Sequence, residues 1–282
     1  MTNRTINRAL LIGLSFATAA HIGFVGFQPA AADTLSAYDA VVLGDDPDVY
    51  WPMSGTETGT EVDLGQAGVD ATYTGAPAET TLPNGDPAAD FDGATQYFEA
   101  PDAPQLSPAT SGAITVEAWM RPDVLQFPND ESSGYVHWMG KGEAGQHEYV
   151  SRMYSLDNTE DRPNRISGYS FNLSGGLGAG SYFQDPVQAG IWIHYVLVIN
   201  ADATSEDYPN GYTRVYRDGV LRDQDDLSIR GEVIVPERSS APFRAGTRDF
   251  ASWFDGAIGK IAIWDAELSA EQIAVHHAAM IS

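Results

Sequence analysis

The chain has 282 residues, with 15 Lys and Arg against 39 Asp and Glu, no Cys, 28 Gly and 16 Pro, and a formal charge of −24. So acidic a surface repels nucleic-acid phosphates and anionic membranes alike, and the lack of thiols excludes disulfides, thiolate metal sites and a Cys nucleophile. The 43% hydrophobic content is that of a globular chain, so the acidity belongs to the surface and not to disorder.

Residues 1–32 read as a signal peptide. Arg4 and Arg8 form a basic start, Ala9 to Phe27 is apolar, and Ala30-Ala31-Ala32 supplies small residues before Asp33. An uncleaved membrane anchor is the rival reading, weakened by Gly13, His21, Gly23 and Gly26. Residues 33–282 are then expected to form one secreted, extracellular domain with no stable membrane anchor, compatible with a bacterial source. Ser36 to Asp39 ahead of Ala40–Leu43 predicts a short capped helix ending at Gly44. Apolar runs follow at Ala113–Met120, Tyr135–Met139, Gly168–Leu173, Ile191–Asn200, Gly211–Arg217, Ala241–Ala245 and Ala257–Trp264, separated by Gly, Pro, Asn and Asp. Asp218-Gly219 suits the positive φ angles of a two-residue hairpin turn. Ile191–Ile199 is apolar on both alternating faces, which predicts a strand covered on both sides, as in a sandwich. A capping box at Ser269 to Gln272, with Ile273, His277 and Met280 at helical spacing, predicts a C-terminal helix. Many short strands without βα alternation point to an all-β, two-sheet antiparallel sandwich with short terminal helices.

Eight motifs in order carry a resemblance. They are Tyr50-Trp-Pro-Met53 after Pro47, Ala89 to Gly93, Ile114 to Pro122, Lys141-Gly142, Trp192 to Tyr195, Tyr216 to Gly219, Phe254 to Ile258 with Ile261 to Trp264, and Leu268 to His276. Together they resemble secreted laminin G-like (LamG) domains of the concanavalin A-like lectin/glucanase superfamily, running in family order from about Tyr38 to Met280, nearly all of residues 33–282. The resemblance implies a jelly-roll fold and a binding or adhesion module more often than an enzyme. It also implies a structural calcium, whose usual last-strand Asp-Glu is here Gly259-Lys260. Calcium takes about six to eight oxygens, so a lysine beside them is unfavourable. Asp92, Asp102 and Asp255 remain as candidate ligands, against the simpler reading that each serves a turn.

Catalytic patterns are sparse. No E-x-D-x-E run sets two carboxylates on one strand face, and there is no G-x-S-x-G elbow. Glu117 stands alone in its strand, His194 reads as a satisfied core histidine, and His276-His277 point about 100° apart on a helix. Gly175 to Gly180 reads as a glycine-rich hairpin and not a phosphate loop.

One segment is richer. If Tyr149–Tyr154 is extended, Arg152 and Tyr154 share a face, with Arg162 and Arg165 in the loop beyond. Such arginines would bind a uronic-acid carboxylate through a bidentate fork, and in a polysaccharide lyase Tyr154 or His147 would abstract a proton. The plainer alternative has these cations pairing with nearby Asp and Glu. Trp138, Tyr182, Tyr208 and Trp253 are candidate sugar-stacking rings, although sandwich aromatics more often serve the core. The expected function is recognition of a glycan or cell-surface polysaccharide by rim loops and one sheet face. A lyase or hydrolase on the same fold, and an adhesive cell-envelope protein without a sugar ligand, are the alternatives.

Overall fold

The computed structural model describes residues 35–282; the expected signal peptide and its cleavage point lie outside them. Alternation of inward and outward side chains builds two antiparallel sheets of eight strands each. In the first, the spatial order is Val220–Asp226, Tyr212–Arg217, Ile193–Asn200, Ala113–Pro122, Asp255–Trp264, Pro87–Asp92 and Ala78–Thr81; Val49–Trp51 also pairs with Asp255–Trp264. In the second it is Ala179–Phe183, Ile166–Ser170, Gln146–Tyr154, Tyr135–Glu143, Phe243–Ala245, Tyr97–Ala100, Ala71–Thr74 and Thr60–Glu61. Asp218 and Gly219, at φ +53° and +77°, form the tight hairpin turn their sequence predicts.

The doubly apolar strand shows how the layers stack. Ile193, Tyr195, Leu197 and Ile199 face the second sheet and join the main core with Val116, Trp138, Met153 and Ile261. Val196 and Val198 face the other way, into a smaller core with Trp119, Tyr216 and Trp264. Two helices close that outer core: α1, Ala37–Gly44, through Tyr38 and Val42, and α2, Ala270–Ile281, through Ile273 and Met280. The strand is covered on both sides as expected, but its outer cover is helical. Capping boxes at Ser36/Asp39 and Ser269/Gln272 start both helices, each satisfying backbone donors that have no partner within the helix.

Buried charges pin both helices to the sheet. Glu117 is fully buried; it accepts a hydrogen bond from Tyr38 Oη (2.6 Å) and faces His276 Nδ1 (2.7 Å) and His194 Nε2 (3.0 Å). His276 Nε2 in turn lies 3.0 Å from Asp45. Burial would push the Glu117 carboxyl up, but the His276 and His194 imidazoles outweigh it and hold it far below the usual range. Burial likewise works against protonated His276, and the facing carboxylates of Glu117 and Asp45 overcome it and raise its pKa. At Lys260, φ is +55° and the ladder with Ala113–Pro122 shifts register between Gly259 and Ala262. This bulge sends Nζ to Asp39 (2.6 Å) and Asp86 (2.9 Å). The lysine that replaces the family's acidic residue is thus a buried counter-ion for α1 and the neighbouring loop.

Glu117→Ala is expected to cost about 3 kcal/mol in urea unfolding, because it strands Tyr38 and two imidazoles without their acceptor. Protonated His276 stabilises the fold fully below about pH 6.5 and less as pH rises through its elevated folded value. Glu117 contributes from about pH 4.5 upward and loses its effect only in strong acid. The difference in thermal midpoint between the natural protein and His276→Gln should therefore narrow from pH 6 to pH 9; a constant difference contradicts the assignment.

Candidate functional site

Four strands at one end of the second sheet carry the most concentrated side-chain chemistry. Backbone pairing sets His137, Arg152, Ser167 and Tyr182 in one row, with Tyr135 opposite Tyr154 and Tyr169 opposite Val150. On the intervening positions Tyr149, Met153 and Ile166 enter the core, so the row lies on the face turned away from it. Over this face opens a groove of about 570 Å³. Its floor is Tyr135, Arg152, Tyr154 and Tyr169; its rims are the loop through Glu160 and Arg162, the Gly176–Gly180 hairpin, and Asp225 with Ser228–Arg230. The glycine-rich segment connects Ile166–Ser170 to Ala179–Phe183, with positive φ at Gly175 and Gly176. At Gly180 any Cβ would meet Gly168 O at 2.0 Å and Tyr169 Cδ1 at 2.6 Å, so glycine leaves the space that the Tyr169 ring occupies.

Arg152 is held on every side but one. Its guanidinium carbon lies 4.0 Å from the Tyr135 ring centre and 4.8 Å from that of Tyr169. Nε donates to His137 Nε2 (3.1 Å) and Nη1 to Tyr154 Oη (3.4 Å). The same hydroxyl accepts from Arg162 Nη1 at 2.8 Å. Arg162 also pairs with Glu160 at 2.5 Å. A hydrogen bond from Ser133, and then the charge of Arg162, hold the Glu160 carboxyl below its ordinary value. Arg165 stacks over Tyr182 at 3.8 Å and donates twice to Gln184 Oε1. Arg230 and Gly231, both at positive φ, make the turn that brings Arg230 to the opposite rim.

Behind Arg152 stands a buried polar group. Burial, then the charges of Arg248 and Arg152, push His137 well below the ordinary histidine value. Neutral His137 accepts at Nε2 from Arg152, so its proton sits on Nδ1, 2.9 Å from Glu131 Oε1. Glu131, His137 and Asp249 bring potential metal-ligand atoms within 4.8 Å of one another. With its one lone pair already turned to a guanidinium, His137 has none to give a cation there; His137 and Glu131 stand behind Arg152, while Asp249 pairs with Arg248.

Five of the residues singled out in the sequence, Arg152, Tyr154, Arg162, Arg165 and Tyr182, line this one groove. His147 does not join them. It stands at the start of Gln146–Tyr154 with its ring 5.9 Å from that of Phe171. Trp138 is a core residue, fully buried against Tyr195 and Phe254, and not a sugar platform. Trp253 packs with Tyr97 and Phe250 outside the groove lining, and Tyr208 packs edge-on against Tyr212. Tyr135, Tyr169 and Arg230 belong to the groove and were not foreseen; Tyr135 and Tyr169 are visible within the apolar runs, but only cross-strand register gathers them.

Of the calcium candidates, Asp92 and Asp255 face each other across one ladder, whereas Asp102 is paired elsewhere. Asp92 accepts from the backbone of Ala94, Thr95 and Gln96 and from the Thr95 hydroxyl, as a turn aspartate does. Asp102 pairs with Lys141 (3.0 Å) and Arg238 (2.7 Å). Asp255 stands opposite Asp92 across the ladder, its carboxyl raised by burial and then by Asp123 and Asp92. With Asp102 already holding two cations and Asp92 committed to its turn, these residues do not fit a calcium shell.

The Laminin_G_3 family model, described as the concanavalin A-like lectin/glucanases superfamily, matches residues 92–274. No curated protein matches the chain in sequence. Among solved structures, domain 4 of AbnA, a GH43 extracellular arabinanase from Geobacillus stearothermophilus, in complex with arabinotriose, is 16% identical with a TM-score of 0.55. That match covers 82% of this chain and 98% of the other. The botulinum neurotoxin serotype D ligand-binding domain in complex with N-acetylneuraminic acid is 12% identical with a TM-score of 0.57, covering 86% and 52%. The receptor-binding domain of the C/D mosaic serotype is 10% identical with a TM-score of 0.58, covering 83% and 51%. This chain thus spans about half the length of the neurotoxin domains, and at these identities the likeness is one of fold.

The placements separate two kinds of aromatic. Trp138→Ala should cost about 3–5 kcal/mol in denaturant unfolding, as a large core truncation does. Tyr182→Ala, at an exposed ring, should stay within about 1 kcal/mol of the natural protein.

Proposed function

We propose, for a chain that belongs to the concanavalin A-like lectin/glucanases superfamily, that it recognises a carbohydrate in the arginine- and tyrosine-lined groove of its second sheet. The observation that carries this reading is the pairing of rings and donors in one concavity. Tyr135, Tyr169 and Tyr182 line it, each with one ring face stacked on a guanidinium and with apolar ring area left toward the groove. A pyranose has the complementary make-up, with apolar C–H faces and a polar edge of hydroxyls. The groove volume is in the range of small-ligand clefts. Relatives of the same fold are described in complex with arabinotriose and N-acetylneuraminic acid, which supports glycan as the ligand class. No helix among the described residues is long and apolar enough to cross a membrane. Export, read from the first 32 residues, is part of this proposal and would place the groove among extracellular glycans.

Binding is favoured over cleavage. An eliminative mechanism needs a base that reaches the sugar ring, but Tyr154 is fully buried with its hydroxyl held by two guanidinium groups. His147 lies outside the groove lining.

A glycan-array screen of residues 33–282 should return a restricted set of positive glycans. On a positive glycan, Tyr169→Ala and Tyr182→Ala should each weaken binding about tenfold. An array blank across all glycans, or binding untouched by both substitutions, contradicts the proposal.

A further inference from the structure

The distribution of ion pairs narrows the ligand class. Thirteen lysines and arginines lie among the described residues, and ten of them have a carboxylate within ion-pair distance, including both lysines. The remaining three are Arg152, Arg165 and Arg230, and all three line the same groove. Among the described residues, the three cations without an ion pair thus meet at a single concavity.

Each is kept from the protein's own acids by a different device. Arg152 is clamped between the Tyr135 and Tyr169 rings, with Nε and Nη1 engaged and no hydrogen bond from Nη2 among the described residues. Arg165 is laid flat on Tyr182 and tied to the neutral amide of Gln184. Arg230 stands at the tip of a two-residue turn. The groove's acids do not neutralise them: Glu160 is engaged by Arg162 and Ser133, which leaves Asp225 against three guanidinium groups.

We infer that the groove, on the glycan reading above, binds a sugar that carries a ring carboxylate, received by the free edge of Arg152 and flanked by Arg165 and Arg230. A planar guanidinium matches a planar carboxylate through parallel N–H donors, a fit that a neutral hydroxyl does not reproduce. Elsewhere the protein is strongly negative, so an anionic chain is attracted at the groove and repelled around it. Uronic and sialic acids both supply the required group.

The test is affinity electrophoresis of residues 33–282 through polygalacturonate, alginate and hyaluronan, and through a sialylated polyacrylamide. Each runs beside its carboxyl-reduced form, with arabinan, laminarin and dextran sulfate as further arms. Retention on at least one native carboxylated glycan is expected, falling at least about tenfold on the reduced form and in Arg152→Gln. The double variant Arg165→Gln/Arg230→Gln, at rim positions without ion pairs, is expected to weaken retention without lowering the thermal midpoint. Arg222→Gln, which removes a cation outside the groove, should leave retention intact. The polymers that retain the protein identify uronate or sialate as the source. Equal retention on native and reduced forms, or retention on arabinan or laminarin alone, overturns the acidic-sugar inference while leaving glycan recognition standing. Dextran sulfate retention matching the carboxylated arms overturns the carboxylate assignment. No retention on any arm removes both readings.

Discussion

Cations are scarce in this protein, and where each one is spent governs much of its structure. Both lysines are buried and paired: Lys141 with Glu148 and Asp102, Lys260 with Asp39 and Asp86. Each holds together segments distant in sequence, which is the circumstance in which a buried charge contributes to a single defined arrangement. Arg244, itself buried, bridges neighbouring strands in the same way through Glu99 and Glu143. Against that background, an arginine with no carboxylate stands out, and such arginines gather only at the groove among the described residues.

The sandwich supplies the rigid floor that such a groove needs. Arg152 and Tyr154 are two residues apart on a strand whose alternate side chains are locked in the main core. Their positions are therefore fixed by the same packing that stabilises the fold. The rims come from loops, where length and sequence change at little cost to the sheets. The opposite sheet is not available for this purpose at its centre. Its outer face is covered by α1 and α2, which are held by Glu117, His276 and Lys260. Burying that face under helices leaves the outer face of the second sheet as the open one at the groove.

The fold was legible because its signals are local. Ser36 and Ser269 mark their helices through capping boxes, Asp218-Gly219 marks a turn, and Ile191–Asn200 announces two-sided burial by composition alone. Which layer covers the second side was not legible, since a helix and a sheet bury the same valines. The site was legible only where its residues follow one another: Arg152 and Tyr154 by strand alternation, Arg162 and Arg165 by nearness. Tyr135, Tyr169 and Arg230 arrive through pairings between distant strands, which no spacing records. Trp138 and His147 do not line the groove, for a related reason. Side-chain type signals the ability to bind a sugar or carry a proton, but register and burial decide whether it faces a ligand. The glycine at position 259 and the lysine after it were visible as a departure from the family pattern, whereas the partners of Lys260 lie more than 170 positions earlier in the chain.

The account stands on Arg152 being kept free for a ligand's carboxylate. A crystal structure of the protein with a bound uronate oligosaccharide tests this most directly. It should place a sugar carboxylate oxygen about 2.7–3.1 Å from Arg152 Nη2, with a pyranose face against Tyr169 or Tyr182. A well-ordered oligosaccharide seated outside the groove, or lying in it with its carboxylate turned to solvent and Arg152 untouched, would contradict the account.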